Sequence, residues 1–214
     1  RSTLMRSSAA SDVYKRQTEN HAAIWCILQD RHNNFWIGTD HSLLYYTHHN
    51  KQCRRIHVSN NPSKSLVVRA LAKDSNGTIW LGTEYNGLGK VSKGEIILGY
   101  GEAFKLQHTS IRSLLVTDDE ELYIGSTTGL YIMNLKNENI TDAFSTRNGL
   151  INNMIGCLLQ DSNRHIWIGS NSCISRYSRK QKLFYHYFLS GSNSSVCACL
   201  LYTSPSPRDR TRSR

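Results

Sequence analysis

The chain has 214 residues, with 26 Lys and Arg against 16 Asp and Glu and a formal net charge of +10. A hydrophobic content of 39%, with 11 Tyr and four Trp, supports a packed core and excludes wholesale disorder. No apolar run approaches the roughly 18–20 residues of a spanning helix, and the length corresponds to one domain or part of one.

The two ends stand apart from the rest. Residues 7–17 read SSAASDVYKRQ and residues 199–209 read CLLYTSPSPRD. Both strings resemble translated transposase adapters of sequencing libraries, so 1–17 and 199–214 are expected to be adapter-encoded rather than native. Each end carries four basic residues against one acid, which leaves only +4 on Thr18 to Ala198. The positive charge therefore gives no reason to expect a nucleic-acid partner, and 18–198 is expected to be an internal slice of a longer reading frame.

The slice repeats itself. Trp36-Ile37-Gly38-Thr39, Trp80-Leu81-Gly82-Thr83, Tyr123-Ile124-Gly125-Ser126 and Trp167-Ile168-Gly169-Ser170 place glycines 44, 43 and 44 residues apart. Nine positions before each aromatic stand Ile27, Leu71, Leu114 and Leu158; six before stand Asp30, Asp74, Thr117 and Asp161. Leu43, Leu88, Leu130 and Ile174 follow each glycine after a short polar loop. Turn residues every 8–12 positions and the lack of a long helical period point to four short strands per copy. Four strands in about 40–45 residues is the pattern of a propeller blade.

The expected fold is all-β: a partial β-propeller of about four four-stranded blades in an open arc. The blades are expected at about 24–58, 67–103, 110–146 and 154–190, with a fifth starting at 194–198. Within each copy the glycine allows a close approach that a Cβ would block. The aromatic two residues earlier shares its face and is expected to wedge between blades as core, not to serve as a sugar platform. Cys26, Ala70, Ser113 and Cys157 fall at one small-residue position of the first strand; Cys26 and Cys157, three blades apart, are not expected to form a disulfide.

The pattern apolar-x-x-apolar-x-x-Asp-x-x-Gly-x-apolar-Trp-Ile-Gly-Thr-x-x-Gly-Leu, clearest in RALAKDSNGTIWLGTEYNGLGKV at 69–91, resembles the two-component regulator propeller repeat. The third copy departs from it, with Tyr123 for Trp and acids in its turn, and the first lacks the Gly-Leu pair. The resemblance implies the periplasmic sensor region of a hybrid two-component system. There the propeller senses an extracellular ligand, often an oligosaccharide, and signals through a membrane helix to a histidine kinase. Its implied partners are that ligand, the remainder of its own chain and, in the full-length protein, a second copy.

Candidate ligand residues lie on loops that vary while the frame repeats. They are Asp40 and His41, Glu84, Tyr85 and Asn86, Thr127 and Asn171 in the loops after the glycines, with Arg147 and Asn152 between blades. Acids, amides and Tyr suit sugar hydroxyls and ring faces. No catalytic residue, cofactor or metal is expected. His41, His48, His49, Cys53 and His57 match no familiar zinc spacing, and strand alternation is expected to put His48 and His49 on opposite faces. Arg54-Arg55 and Arg176 to Lys180 are expected to be solvated basic runs. A protein-interaction platform and a propeller lyase are the alternative functions.

Overall fold

A computed structural model describes residues 22–100, 106–171 and 173–188. The adapter-like ends and the expected fifth repeat lie outside the described residues. The chain forms four antiparallel sheets, each built from four consecutive strands in sequence order. Blade one holds β1 (Ile24–Gln29), β2 (Phe35–Thr39), β3 (Leu43–Thr47) and β4 (Gln52–Ile56). Blade two holds β5 (Val68–Lys73), β6 (Ile79–Thr83), β7 (Leu88–Ser92) and β8 (Glu95–Tyr100). Blade three holds β9 (Ile111–Val116), β10 (Glu121–Ser126), β11 (Leu130–Asn134) and β12 (Asn139–Phe144). Blade four holds β13 (Ile155–Gln160), β14 (Ile166–Ser170), β15 (Ile174–Ser178) and β16 (Leu183–Tyr187). A 3-10 turn, Leu106–His108, precedes blade three. The first strands β1, β5, β9 and β13 adjoin one another in series. They form the inner wall of the arc, and β4, β8, β12 and β16 lie outermost.

The first turns of blades two and four explain the repeated aspartate. In blade two, Asp74 Oδ1 accepts from the Thr78 amide at 2.8 Å and Oδ2 accepts from Trp80 Nε1 at 3.2 Å. In blade four, Asp161 accepts from the His165 amide at 2.8 Å and from Trp167 Nε1 at 2.9 Å. One carboxylate thus closes the turn and anchors the aromatic. In blade three both members change together: Thr117 replaces Asp, and the Tyr123 hydroxyl donates to Glu121 Oε2 at 3.1 Å. Three residues before each aromatic the backbone is left-handed, at Asn33, Gly77, Glu120 and Arg164 with φ of 59°, 87°, 57° and 63°.

The repeated glycine is where one blade receives the next. A Cβ on Gly82 would come within 2.5 Å of Ile111 Cγ2, and one on Gly125 within 2.7 Å of Ile155 Cγ2. Gly38 faces Val68 in the same way at 2.9 Å. The same Cβ would also strike the small-residue position of its own first strand, Cys26 Sγ at 2.4 Å or Ser113 Oγ at 2.2 Å. That position pairs directly with the glycine in all four blades.

Three apolar clusters fill the joints between blades. Leu43, Ile56, Val68 and Leu81 join blades one and two; Trp80, Leu88, Ile111 and Leu122 join two and three. Tyr123, Leu130, Ile155 and Ile168 join three and four. Each joint also takes a leucine from the connecting segment: Leu66, Leu106 or Leu150. Trp80 and Tyr123 are fully buried wedges. Trp36 and Trp167 are only half-buried; Trp167 has no described blade beyond it and stacks on Tyr187 with ring centroids 5.6 Å apart.

Ion pairs cross two of the joints. Lys90 of blade two binds Glu138 of blade three. Arg179 of blade four reaches Glu121 at 2.5 Å and Asp142 at 2.7 Å in blade three. Arg179 is therefore not part of a solvated basic run: its two carboxylates draw it into the joint. His48 and His49 also depart from expectation, because β3 ends at Thr47 and both sit in the following turn.

Candidate functional site

Antiparallel pairing brings the loops after β2, β6, β10 and β14 to the end of the arc where the inner strands begin. Ile24 pairs with Thr39, Val68 with Thr83, Ile111 with Ser126 and Ile155 with Ser170. A buried hydroxyl ties each loop down. Thr39 Oγ1 donates to the Ser42 carbonyl at 3.0 Å, Thr83 Oγ1 to that of Gly87 at 2.8 Å. Ser126 Oγ does so to Gly129 at 2.8 Å and Ser170 Oγ to Cys173 at 2.9 Å. In the first three blades the residue after the hydroxyl binds back to the chain entering the inner strand: the Asp40 amide donates to Ala23, Glu84 to Val67 and Thr127 to Ser110.

The blade-two loop is one residue longer than the others, and Tyr85 at its tip is 69% exposed. Gly87 closes it with φ of 67°, and a Cβ there would meet the Leu106 carbonyl at 2.1 Å. Only glycine fits both the backbone and the space.

Asp40, His41, Glu84, Tyr85, Asn86, Thr127 and Asn171 therefore share one end of the arc. His41 Nδ1 lies 2.9 Å from the Asp40 carbonyl, while Asp40 Oδ1 is buried with no hydrogen-bond partner. Asn171 reaches back to Met154, just before β13, at 3.0 Å. Asn152 stays close by, accepting from the Met154 amide at 2.8 Å. Arg147 is set apart: its segment packs through Gly149 against Phe184 of the outermost strand β16.

The inner strands supply a second set that loop reading misses. Each bulges at its second residue, as the register shifts between Ile24 and Cys26, Val68 and Ala70, and Ile155 and Cys157 show, with a matching irregularity opposite Ile111. The bulge positions are Trp25, Arg69, Arg112 and Gly156. All stand eleven residues before the blade aromatic, so variation at a single repeat register was the signal available. Bulges re-aim side chains, and they gather near binding sites. Arg69, Arg112 and Gly156 line a cleft of about 230 Å³ together with Cys26, Leu71, Ser113, Leu114 and Leu158.

Arg69 Nε donates to Glu84 Oε2 at 2.5 Å, and its guanidinium lies 3.7 Å from the centroid of the Trp25 ring. Loop and inner wall thus meet in one Trp–Arg–Glu cluster spanning blades one and two. Arg112 is exposed and has no carboxylate within ion-pair distance among the described residues. Burial beside the inner strands pushes the Cys26 thiol up to about 12, so it stays neutral. Among the described residues no three His, Cys, Asp or Glu gather as a metal site.

Comparisons with known proteins agree with this architecture. Residues 18–41, 62–85 and 149–172 match the family described as Two component regulator propeller. The third blade, with its Thr117 and Tyr123 departures, falls outside the matched segments. No curated protein matches the chain. Among solved structures, an extracellular domain described as that of a hybrid two component system in B. thetaiotaomicron aligns at TM-score 0.68 and 24% identity, covering 78% of this chain and 23% of that one. A second such domain from the same organism aligns at TM-score 0.66 and 20% identity, covering 83% and 23%. Virginiamycin B lyase from Staphylococcus aureus aligns at TM-score 0.63 and 12% identity, covering 83% and 59%. The chain thus spans about a quarter of the length of these two extracellular domains. Three segments of this chain thus match the two-component regulator propeller repeat, and its four four-stranded sheets share the propeller fold of these structures.

Proposed function

We propose that the chain is part of the extracytoplasmic ligand-sensing propeller of a hybrid two-component regulator. Its loop-bearing end takes up an oligosaccharide, and a kinase elsewhere in the same protein receives the signal. The observation that carries this reading is the match of three separate segments to the regulator propeller repeat. The likeness in fold to extracellular domains of hybrid two component systems supports an extracytoplasmic position.

On this reading the chain performs no catalysis. The cleft between inner strands is lined by arginines, aliphatic side chains and small residues, a lining suited to holding a ligand and short of general acids or bases. The scaffold supplies the two-state element only as part of the whole protein, where ligand binding must favour one arrangement over another to carry a signal. The test is calorimetry of the complete ectodomain against a panel of oligosaccharides, with autophosphorylation of the full-length protein as the second readout. Binding of a glycan with a matching change in phosphorylation is the expected result. Binding of a protein and no glycan would favour an interaction platform; turnover of a bound glycan or lactone would favour a lyase.

A further inference from the structure

The bulge positions of the inner strands place four different side chains at equivalent points of one rim: Trp25, Arg69, Arg112 and Gly156. The surrounding frame is nearly identical in each blade, so the difference in chemistry lies in these side chains and the loops above them. In blade two the arginine is neutralised by Glu84 and covered by Trp25. In blade one the loop carries Asp40, whose ion-pair partner among the described residues is His41, at 3.9 Å.

Blade three has neither arrangement. Its loop offers Thr127 and Thr128 and no carboxylate. Arg112 projects from the bulge with no acid in reach among the described residues. Arg112 lines the cleft together with Ser113 and Leu114 of its own strand. Arg112 is thus the arginine of this rim that no carboxylate of the described residues neutralises, in contrast to Arg69. Gly156 leaves the adjoining rim without a side chain, which gives a ring-sized group access. Tyr85 and Trp25, both exposed aromatics on the same end, offer faces for sugar rings.

We propose that the rim of the inner-strand cleft at blade three is an anion subsite, at which Arg112 grips the carboxylate or sulfate of an acidic oligosaccharide. A planar guanidinium matches such groups with two parallel hydrogen bonds. The proposal rests on the oligosaccharide-sensing reading above and narrows its ligand to an acidic class.

The test is titration calorimetry on the complete ectodomain that carries this chain, as wild type, Arg112→Gln and Arg112→Lys. The probes are trigalacturonate, a sulfated chondroitin disaccharide and neutral galactotriose. An acidic probe should bind and the neutral one should not, and the acidic probe that binds identifies the anion. Arg112→Gln should weaken that binding about tenfold or more, with an intermediate loss for Arg112→Lys and a Kd that rises with salt. Arg112 is exposed, so both variants should keep the thermal midpoint. Galactotriose binding as tightly as the acids, or acid binding indifferent to Arg112→Gln, overturns the subsite and leaves the sensing reading standing. Binding of none of the three probes and of no other glycan overturns both.

Discussion

Blades one and two are written in the same strand pattern, yet the same position is buried in one and bare in the other. Val68, Ile111 and Ile155 are wholly buried, each seated on the glycine of the preceding blade, whereas Ile24 at that position in blade one is 58% exposed. The aromatic behaves likewise at the other end. Trp80 is sealed by blade three, and Trp167, with no described blade beyond it, rests on Tyr187 in partial exposure. A blade is thus half of two interfaces. Its own strands decide its shape, and its neighbours decide how much of that shape becomes core.

Substitutions at the joints should separate these roles most sharply. Trp80→Ala should cost about 3–5 kcal/mol, the range for truncating a buried aromatic. Trp167→Ala should cost under about 2 kcal/mol in this chain, since less of its area is removed from water. Urea midpoints of the two variants check this; equal losses would break the distinction between inner and end blades. In a longer chain that adds a blade after β16, the two costs should converge.

Filling a joint should come next. Gly125→Ala puts a methyl within 2.7 Å of Ile155 Cγ2 and 2.2 Å of Ser113 Oγ, and overpacking of this kind costs about 1–3 kcal/mol. Thermal unfolding of Gly125→Ala beside Gly77→Ala distinguishes crowding from backbone strain. A Cβ at Gly77 meets nothing within 4 Å, but φ is 87° there, so that variant should lose about 1–2 kcal/mol through strain alone.

The carboxylates of the turns and joints set the response to acid. Burial opposes the charge on Asp142, but Arg179 and Lys182 outweigh it and hold its carboxyl below the ordinary value. Burial likewise opposes ionisation of Asp30 and Asp161, and their turn hydrogen bonds outweigh it. A carboxyl depressed in the folded state adds stability that is complete above its unfolded value, about 3.9, and is lost as pH falls through the lower folded value. Urea midpoints should therefore decline below about pH 4. Asp142→Asn should flatten that decline and, at neutral pH, loosen the joint between blades three and four.

The smallest expected effect concerns the left-handed turn residue. Arg164 adopts φ of 63° where blade two has Gly77, and its ion pair with Asp119 is largely exposed, so the pair contributes little. Arg164→Gly should relieve strain and stabilise blade four by about 0.5–1 kcal/mol, a net of left-handed strain against glycine's added chain entropy. A fall in thermal midpoint would mean that the ion pair matters more than the backbone.

Much of the architecture was legible because its causes are local. The Asp turn, the aromatic, the glycine and the apolar residue beyond the loop recur at fixed offsets, and each acts within a few residues of itself. The loop end carrying Asp40, Glu84 and Thr127 followed from strand order and antiparallel pairing. The bulge residues were legible only as one varying register of the repeat, which by itself does not mark a bulge; Trp25 and Arg69 are neighbours only because blades one and two are packed. Arg179 was misread for the same reason: in sequence it sits in a basic run, and in space its nearest charges are the acids of another blade.

The sequence by itself determined the unit. Period, turn chemistry and alternation specify four strands and the glycine notch that receives the next copy, since these depend on backbone geometry and near neighbours. Only the tertiary structure decided which copies of one residue are core or surface, which arginine meets a carboxylate, and where the cleft opens. Those outcomes depend on contacts between residues about one repeat or more apart, and burial and charge pairing exist only once the blades are stacked.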